Sequence, residues 1–177
     1  EAELAIAAFG VAHGLVSLLM GPMRNLLQTA QTLVSLREDV RVMLVFTAQL
    51  IVIFIVLSLL LFETSLRDVV LFDIMGLTSS LAAYCEPAVR ICFLMAAFWA
   101  LTALFRGLLA KARTTTSLAV SGVLRIASAV AAGSLSLVYP DVNGALLGVA
   151  AWVFSYMVES AFSGWRLVRI GWFVQTA

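Results

Sequence analysis

Charged residues are scarce in this chain. Only 12% of its 177 residues are Asp, Glu, Lys or Arg, whereas a typical soluble domain has about 25%. With three prolines and no Gly/Ser-rich or Pro-rich run, the sequence contains no linker. The formal net charge of +1 gives no indication of a nucleic-acid partner. Hydrophobic residues make up 63% of the chain and the mean hydropathy is +1.07, so the sequence predicts an integral membrane protein.

Metal-binding and catalytic residue types are equally sparse. The chain has one histidine and two cysteines, which makes a metal or haem site within it unexpected. Cys85 and Cys92 lie seven residues apart in an apolar segment, and we interpret them as buried thiols rather than a disulfide or a metal pair. Zinc-ligand spacings, a Walker loop, Rossmann glycines, a nucleophile elbow and paired catalytic carboxylates are all absent from the sequence. We therefore expect neither a cofactor nor enzymatic activity.

Long apolar segments define the predicted fold, an all-α integral membrane bundle that forms one domain over residues 1–177. A bilayer core about 30 Å thick requires roughly 20 apolar residues per helix. Five segments meet this requirement, at residues 4–36, 42–62, 81–105, 117–138 and 144–165. The first is overlong, and Gly21-Pro22 predicts a kink or break within it. Residues 67–76 are amphipathic and too short to cross, which predicts a short interfacial helix.

The charges between the spans predict an orientation. The loops after the first, third and fifth spans contain seven Lys or Arg residues, and the other loops contain one: Arg37, Arg41, Arg106, Lys111, Arg113, Arg166 and Arg169, against Arg67. The positive-inside rule then places the C-terminus in the cytoplasm and the N-terminus outside. A helix preceding the chain would explain that orientation, so we expect part of a longer protein or a partner of one. The expected location is a bacterial inner membrane or another plasma membrane.

Polar side chains within the spans fall into stripes on ideal helices. The stripe of the first span contains His13, Ser17, Gly21, Arg24, Gln28, Gln31 and Ser35. The stripe of the fourth span contains Ser117, Ser121, Arg125 and Ser128. The stripe of the fifth span contains Gly148, Trp152, Ser155, Tyr156, Glu159 and Ser163. In the second span, Thr47, Gln49 and Ser58 share no single face, so we expect that span to face lipid. A charge in mid-bilayer costs about 2.5–3.5 kcal/mol on insertion scales. The stripes should therefore converge, either in a packed polar seam or around a water-filled cavity.

Depth along the helices suggests a partner for Arg125. At 1.5 Å per residue, Arg125 lies about 12 Å and Glu159 about 9 Å from the same end of their spans. A tight turn joins those spans, which predicts an Arg125–Glu159 ion pair that either lines a substrate path or only ties two helices together. Arg24 has no comparably placed acid, which makes it a candidate anion-binding residue. Glu86 precedes Arg90 by four residues, which is the favourable order for an ion pair on a helix. We expect this pair to be either structural or part of an outer gate.

The second half of the chain resembles a known family of transporters. The motifs are P-x-x-R-I at residues 87–91, V-L-R-I around Arg125, V-x-G-A-x-L-G-V at residues 142–149 and Glu159-Ser160; F-G-V-A-H with a downstream Arg24 is a looser match. Together they are similar to the C-terminal region of the progressive ankylosis family, whose fold is similar to the multidrug/oligosaccharidyl-lipid/polysaccharide flippase superfamily. The resemblance implies two six-helix lobes around a central cavity, and export of pyrophosphate or other small anions such as citrate and ATP. It also implies that the chain corresponds to the last five helices, with the N-terminal lobe or other membrane subunits as partners.

Two functions follow as hypotheses. In the first, the chain is a transporter-type bundle that exports or flips a small or amphipathic anion through a polar cavity. In the second, it is a structural membrane subunit of a larger complex, derived from such a transporter but without transport. The candidate cavity residues are His13, Ser17, Arg24, Gln28, Gln31, Ser121, Arg125, Tyr156 and Glu159.

Overall fold

A computed structural model describes residues 2–35, 37–139 and 141–172, and every regular element in these ranges is helical. In chain order the helices are α1 (Ala2–Leu19), α2 (Gly21–Arg24), α3 (Leu26–Leu33), α4 (Arg37–Glu63), α5 (Leu66–Asp68), a π-helix (Val69–Ile74), α6 (Ser79–Lys111), α7 (Thr115–Gly133), α8 (Leu135–Val138) and α9 (Gly144–Arg169). Four segments are long and apolar enough to cross a membrane: Asp39–Glu63, Leu94–Lys111, Thr115–Val138 and Gly144–Arg169. A fifth span results only if the bent unit formed by α1, α2 and α3 is counted as one.

The chain bends sharply where the sequence places Gly21-Pro22. Pro22 lies at the start of α2, where its missing N–H leaves no helical hydrogen bond unmade, and the axis changes direction by 70° between the segments Glu3–Leu18 and Gly21–Leu33. The predicted break is therefore present. The predicted stripe along residues 4–36 does not continue as one straight face, because a projection onto a single helix does not apply across a 70° bend. Residue 36, the predicted end of that span, lies outside the described residues.

Helix α6 is the centre of the bundle and packs against α1, α3, α4 and α9. The side chain of Thr78 accepts a hydrogen bond from the backbone N–H of Leu81 and caps its start. At its other end α6 continues to Lys111, six residues beyond the predicted end of the third span. Cys85 and Cys92 lie on its buried face as free thiols, which confirms that they form no disulfide.

Helices α7 and α9 pack against each other after a tight turn. Asn143 caps α9, since its side-chain oxygen accepts hydrogen bonds from the N–H groups of Ala145 and Leu146. Its amide nitrogen also donates to the carbonyl of Tyr84 (2.8 Å), and the Tyr84 hydroxyl accepts from the N–H of Gly144 (3.2 Å). The turn is thereby fixed to α6, which sets the depth of α9 relative to α6 and α7.

Helix α4 presents most of its apolar surface outward, as expected for a span that faces lipid. Val42 is 68% exposed and Val52 is 59% exposed. Thr47 and Ser58 are buried, whereas Gln49 is exposed. Thr47 and Ser58 are eleven residues apart, close to three full turns, and therefore share a face that Gln49 does not.

The segment predicted as an interfacial helix is helical in two short pieces, α5 and the π-helix. Leu71 is buried, whereas the apolar side chains of Phe72 and Ile74 are exposed, so burial does not separate a polar face of the segment from an apolar one. Its depth relative to a membrane stays a prediction.

Candidate functional site

A fully buried carboxylate lies at the contact of α6, α7 and α9. Glu159 is 0% exposed. Its Oε1 accepts hydrogen bonds from the Ser121 hydroxyl and from Nη1 of Arg106, both at 3.3 Å. Its Oε2 lies 3.5 Å from Nη1 of Arg125. The predicted Arg125–Glu159 ion pair is therefore present, with a second arginine and a serine on the same carboxylate.

The second arginine was not expected there. Arg106 is predicted to lie in a loop, but α6 continues past it and its side chain contacts Glu159. One sequence signal could have revealed this position. Trp99, Thr102 and Arg106 are spaced three and four residues apart, which places them on one face of a helix, and the Thr102 hydroxyl donates to the backbone carbonyl of Tyr156 on α9.

Aromatic rings continue the site from Arg125 toward α2. The rings of Trp99 and Tyr156 are stacked, with centroids 5.7 Å apart and an interplanar angle of 13°. The guanidinium carbon of Arg125 lies 5.3 Å from the Tyr156 ring centroid, and that of Arg24 lies 5.5 Å from the Trp99 ring centroid. Both distances are within the range of cation–π attraction, about 6 Å. We call Arg24, Trp99, Tyr156 and Arg125 the cation–aromatic stack.

His13 on α1 reaches the same region through a third aromatic residue. Its ring centroid is 4.3 Å from that of Trp152, which in turn is 6.3 Å from Tyr156. The Ser17 hydroxyl forms a 3.1 Å hydrogen bond with Nε2 of His13. Seven of the nine candidate cavity residues thus form one contiguous group: His13, Ser17, Arg24, Ser121, Arg125, Tyr156 and Glu159.

Gln28 and Gln31 do not belong to this group. Both are exposed on α3, whose buried face is apolar and includes Leu26 and Ala30. The backbone carbonyl of Gln31 accepts a hydrogen bond from Lys111 at the end of α6. The 70° bend between α1 and α2 explains their separation from His13, because Gln28 and Gln31 lie on the segment after the bend.

The Glu86–Arg90 pair is present in a separate cluster. Nη2 of Arg90 lies 3.2 Å from Oε1 of Glu86, and Nη1 of Arg67 approaches the same oxygen to 2.8 Å. Glu63 and Asp68 extend this network on the surface. The hydrogen bond that Arg67 donates to Asp68 and the charge of Glu86 raise the pKa of Arg67 above its ordinary value. The network ties α5 to α6; its role as an outer gate stays a prediction.

The charge balance of the buried site is positive. Arg106 and Arg125 surround one buried carboxylate. Arg24, which is exposed at the edge of the site, has no acidic partner among the ion pairs of the described residues. Nε of Arg106 and Oε2 of Glu159 are buried without a hydrogen-bond partner in the described part of the chain. Charge-assisted hydrogen bonds of guanidinium groups to oxyanions are among the strongest in proteins. The arrangement is therefore suited to holding an anion, and the residues described contain no group of three or more His, Cys, Asp or Glu arranged for a metal ion.

Comparisons of the chain with family models, with curated proteins and with solved structures found no match. The resemblance to the progressive ankylosis family therefore stays a prediction from the sequence motifs.

Proposed function

We propose that the chain is part of a transporter-type membrane bundle that binds and moves an anion, either small or amphipathic. Arg24, Arg106 and Arg125 supply the positive charge of the site, and Glu159 holds two of them in place. Within the cation–aromatic stack, the rings of Trp99 and Tyr156 lie between Arg24 and Arg125. The resemblance to anion exporters points the same way, although it does not assign roles to these residues.

The observation that carries this proposal is the surplus of positive charge. Arg106 and Arg125 both contact the single carboxylate of Glu159, and Arg24 lies above Trp99 at the exposed edge of the site. Each unpaired charge within a bilayer costs about 2.5–3.5 kcal/mol on insertion scales. An anionic ligand would offset that cost, whereas a purely apolar ligand would increase it.

The proposed orientation places the C-terminus in the cytoplasm of a bacterial inner membrane or another plasma membrane. Arg106 now belongs to the interior of the bundle, so the count of Lys and Arg in the cytoplasmic loops falls from seven to six, against Arg67 on the other side. The positive-inside rule still gives the same orientation with this smaller difference.

Anion flux in liposomes containing the complete protein tests the proposal. Pyrophosphate and citrate serve as probes, and flux should saturate with concentration. Arg24→Ala should lower the flux by about tenfold, the loss expected when one charge-assisted hydrogen bond is removed. Arg24→Lys should recover part of it. Arg41→Ala is the matched control, because Arg41 is exposed like Arg24 but belongs neither to the site around Glu159 nor to the Glu86 network.

Flux that is unchanged in Arg24→Ala, or equally reduced in Arg41→Ala, would contradict the assigned role of Arg24. Complete absence of flux would favour the second function, a structural subunit of a larger membrane complex. One observation favours that alternative: Glu159 is bonded to residues of both α6 and α7, as expected for a packed seam that fixes three helices. Co-purification of the complete protein with stoichiometric membrane partners would identify it.

A further inference from the structure

An apolar groove of about 430 Å³ lies between α1, α7 and α9. This volume is within the range of small-molecule sites, about 300–1,000 Å³. The residues that define its walls include Ala5, Phe9, Ala129, Gly133, Gly148 and Trp152. A Cβ atom at Gly148 would lie 3.0 Å from the Phe9 ring, so this glycine lets α1 approach α9 closely. A Cβ atom at Gly133 would meet nothing within 4 Å, so the opposite wall is open.

On all three helices that form the groove, residues of the anion site lie within about one helical turn of it. Four residues after Phe9 on α1 is His13, and four residues after Trp152 on α9 is Tyr156. On α7, which returns toward α9 after the tight turn, Arg125 precedes Ala129 by the same four residues. Residues four apart lie on one face of a helix, about one turn from each other. The apolar groove therefore lies about one helical turn from the guanidinium of Arg125, which is above the Tyr156 ring.

This juxtaposition restricts the ligand more than the charge alone does. A small anion would occupy the arginines and leave the groove to unrelated lipid. A neutral lipid would fill the groove and leave the surplus positive charge without a counterion. A molecule with one acidic headgroup and one hydrocarbon chain satisfies both parts at once.

We infer that the ligand of the site is an anionic single-chain amphiphile, with its headgroup at Arg125 and its acyl chain in the groove between α1, α7 and α9. The inference rests on the proposed anion site and names the class of molecule that it takes. Trp152 belongs to both parts, since it lines the groove and contacts His13.

Photo-crosslinking in phosphatidylcholine nanodiscs containing the complete protein tests the inference. The probe is a lysophosphatidate with a diazirine in its acyl chain, and the labelled residues are mapped by mass spectrometry. Labels should concentrate on the walls of the groove near Ala129, and unlabelled lysophosphatidate should compete. Gly133→Leu should lower the labelling by about tenfold, because a leucine side chain fills the open part of the groove. Arg125→Gln should lower it by a similar factor, since the headgroup loses a charge-assisted hydrogen bond worth about tenfold in affinity.

Gly122→Leu is the matched control. Gly122 is also on α7 and has no atom within 4 Å of its potential Cβ, but it does not line the groove. Its labelling should equal that of the parent protein. If Gly133→Leu does not fold by circular dichroism, Ala129→Leu tests the same space one turn closer to Arg125.

A monoacylglycerol with the same diazirine chain provides the decisive comparison. Equal labelling by this neutral probe would overturn the inference, since the groove would then contain bulk lipid without regard to charge. Unchanged labelling in Gly133→Leu would overturn it as well. Binding is measured without transport, so the two proposals fail separately. Charge-dependent labelling without anion flux contradicts transport, whereas flux of pyrophosphate without charge-dependent labelling contradicts the amphiphile.

Discussion

Replacing Glu159 with glutamine removes the one negative charge that two arginines share inside the bundle. Glutamine has nearly the same shape and keeps an oxygen that can accept the hydrogen bond of Ser121. The change therefore isolates the charge from the packing. Arg106 and Arg125 would remain in place without a counterion.

The structure sets the expected size of the effect. Removing one partner of a buried ion pair costs about 3–5 kcal/mol when the other partner stays buried. The side chains of Arg106 and Arg125 are 33% and 31% exposed, whereas Glu159 is 0% exposed. Partial exposure relieves some of the cost, so we expect Glu159→Gln to lower the free energy of unfolding by about 2–3 kcal/mol. Adding Arg106→Gln should recover about 1 kcal/mol, because it removes one of the two unpaired cations.

Glu86→Gln is a matched control for Glu159→Gln. Glu86 also contacts two arginines, Arg67 at 2.8 Å and Arg90 at 3.2 Å, but its side chain is 36% exposed. Ion pairs in contact with water contribute about 0–1 kcal/mol, so Glu86→Gln should change the free energy of unfolding by no more than about 1 kcal/mol.

Unfolding in mixed micelles of mild detergent and dodecyl sulfate, followed by tryptophan fluorescence, measures these differences. The comparison of Glu159→Gln with Glu86→Gln is the critical one, since both remove a glutamate between two arginines. Equal losses would refute the reasoning, because burial would then have no effect on the value of the charge. A loss in Glu159→Gln that Arg106→Gln makes larger rather than smaller would refute the assignment of Arg106 as the surplus cation.

Two further predictions concern packing and are measured by the same unfolding assay. Thr47→Val should be neutral or stabilise the protein by about 1 kcal/mol, since the buried Thr47 hydroxyl has no hydrogen-bond partner in the described part of the chain. A decrease in the free energy of unfolding by more than about 1 kcal/mol would contradict this and indicate a hydrogen bond to that hydroxyl. Gly107→Ala should cost about 1–3 kcal/mol, because its Cβ would lie 2.7 Å from the carbonyl oxygen of Leu27 and 2.8 Å from Cβ of Ala30. Gly122→Ala, with open space around it, should instead stabilise by up to about 1 kcal/mol through helix propensity, and equal effects at the two glycines would contradict the close approach of α3 and α6.

Straight helices made the Arg125–Glu159 pair predictable. Helices α7 and α9 each continue without a break through the residues concerned, so a regular projection places their polar side chains correctly. The tight turn between them fixes which helices are neighbours, and the rise of 1.5 Å per residue fixes the depth. Both rules are local, and neither requires knowledge of the rest of the bundle.

The errors arose where those local rules stop applying. Gln28 and Gln31 were placed with His13 by a projection that assumed one axis through Gly21-Pro22, and the actual bend is 70°. Arg106 was assigned to a loop because a span of about 20 residues ends before it. Helix α6 is 33 residues long, and a charge near the end of such a helix faces either water or a neighbouring helix. Only the position of Glu159 on α9 decides between these two environments.

The number of arginines bears on the choice between a structural seam and an anion site. One arginine suffices to neutralise Glu159, and the Arg125–Glu159 pair alone would tie α7 to α9. Arg106 adds a second cation to the same carboxylate, and the exposed Arg24 lies above Trp99 with no acidic partner among the described ion pairs. A seam that only holds helices together gains little from a second cation on Glu159, since Arg106 adds a desolvation cost that a carboxylate already paired with Arg125 offsets only in part. An anion in the site offsets it directly, so the surplus arginines favour ligand binding over a purely structural role.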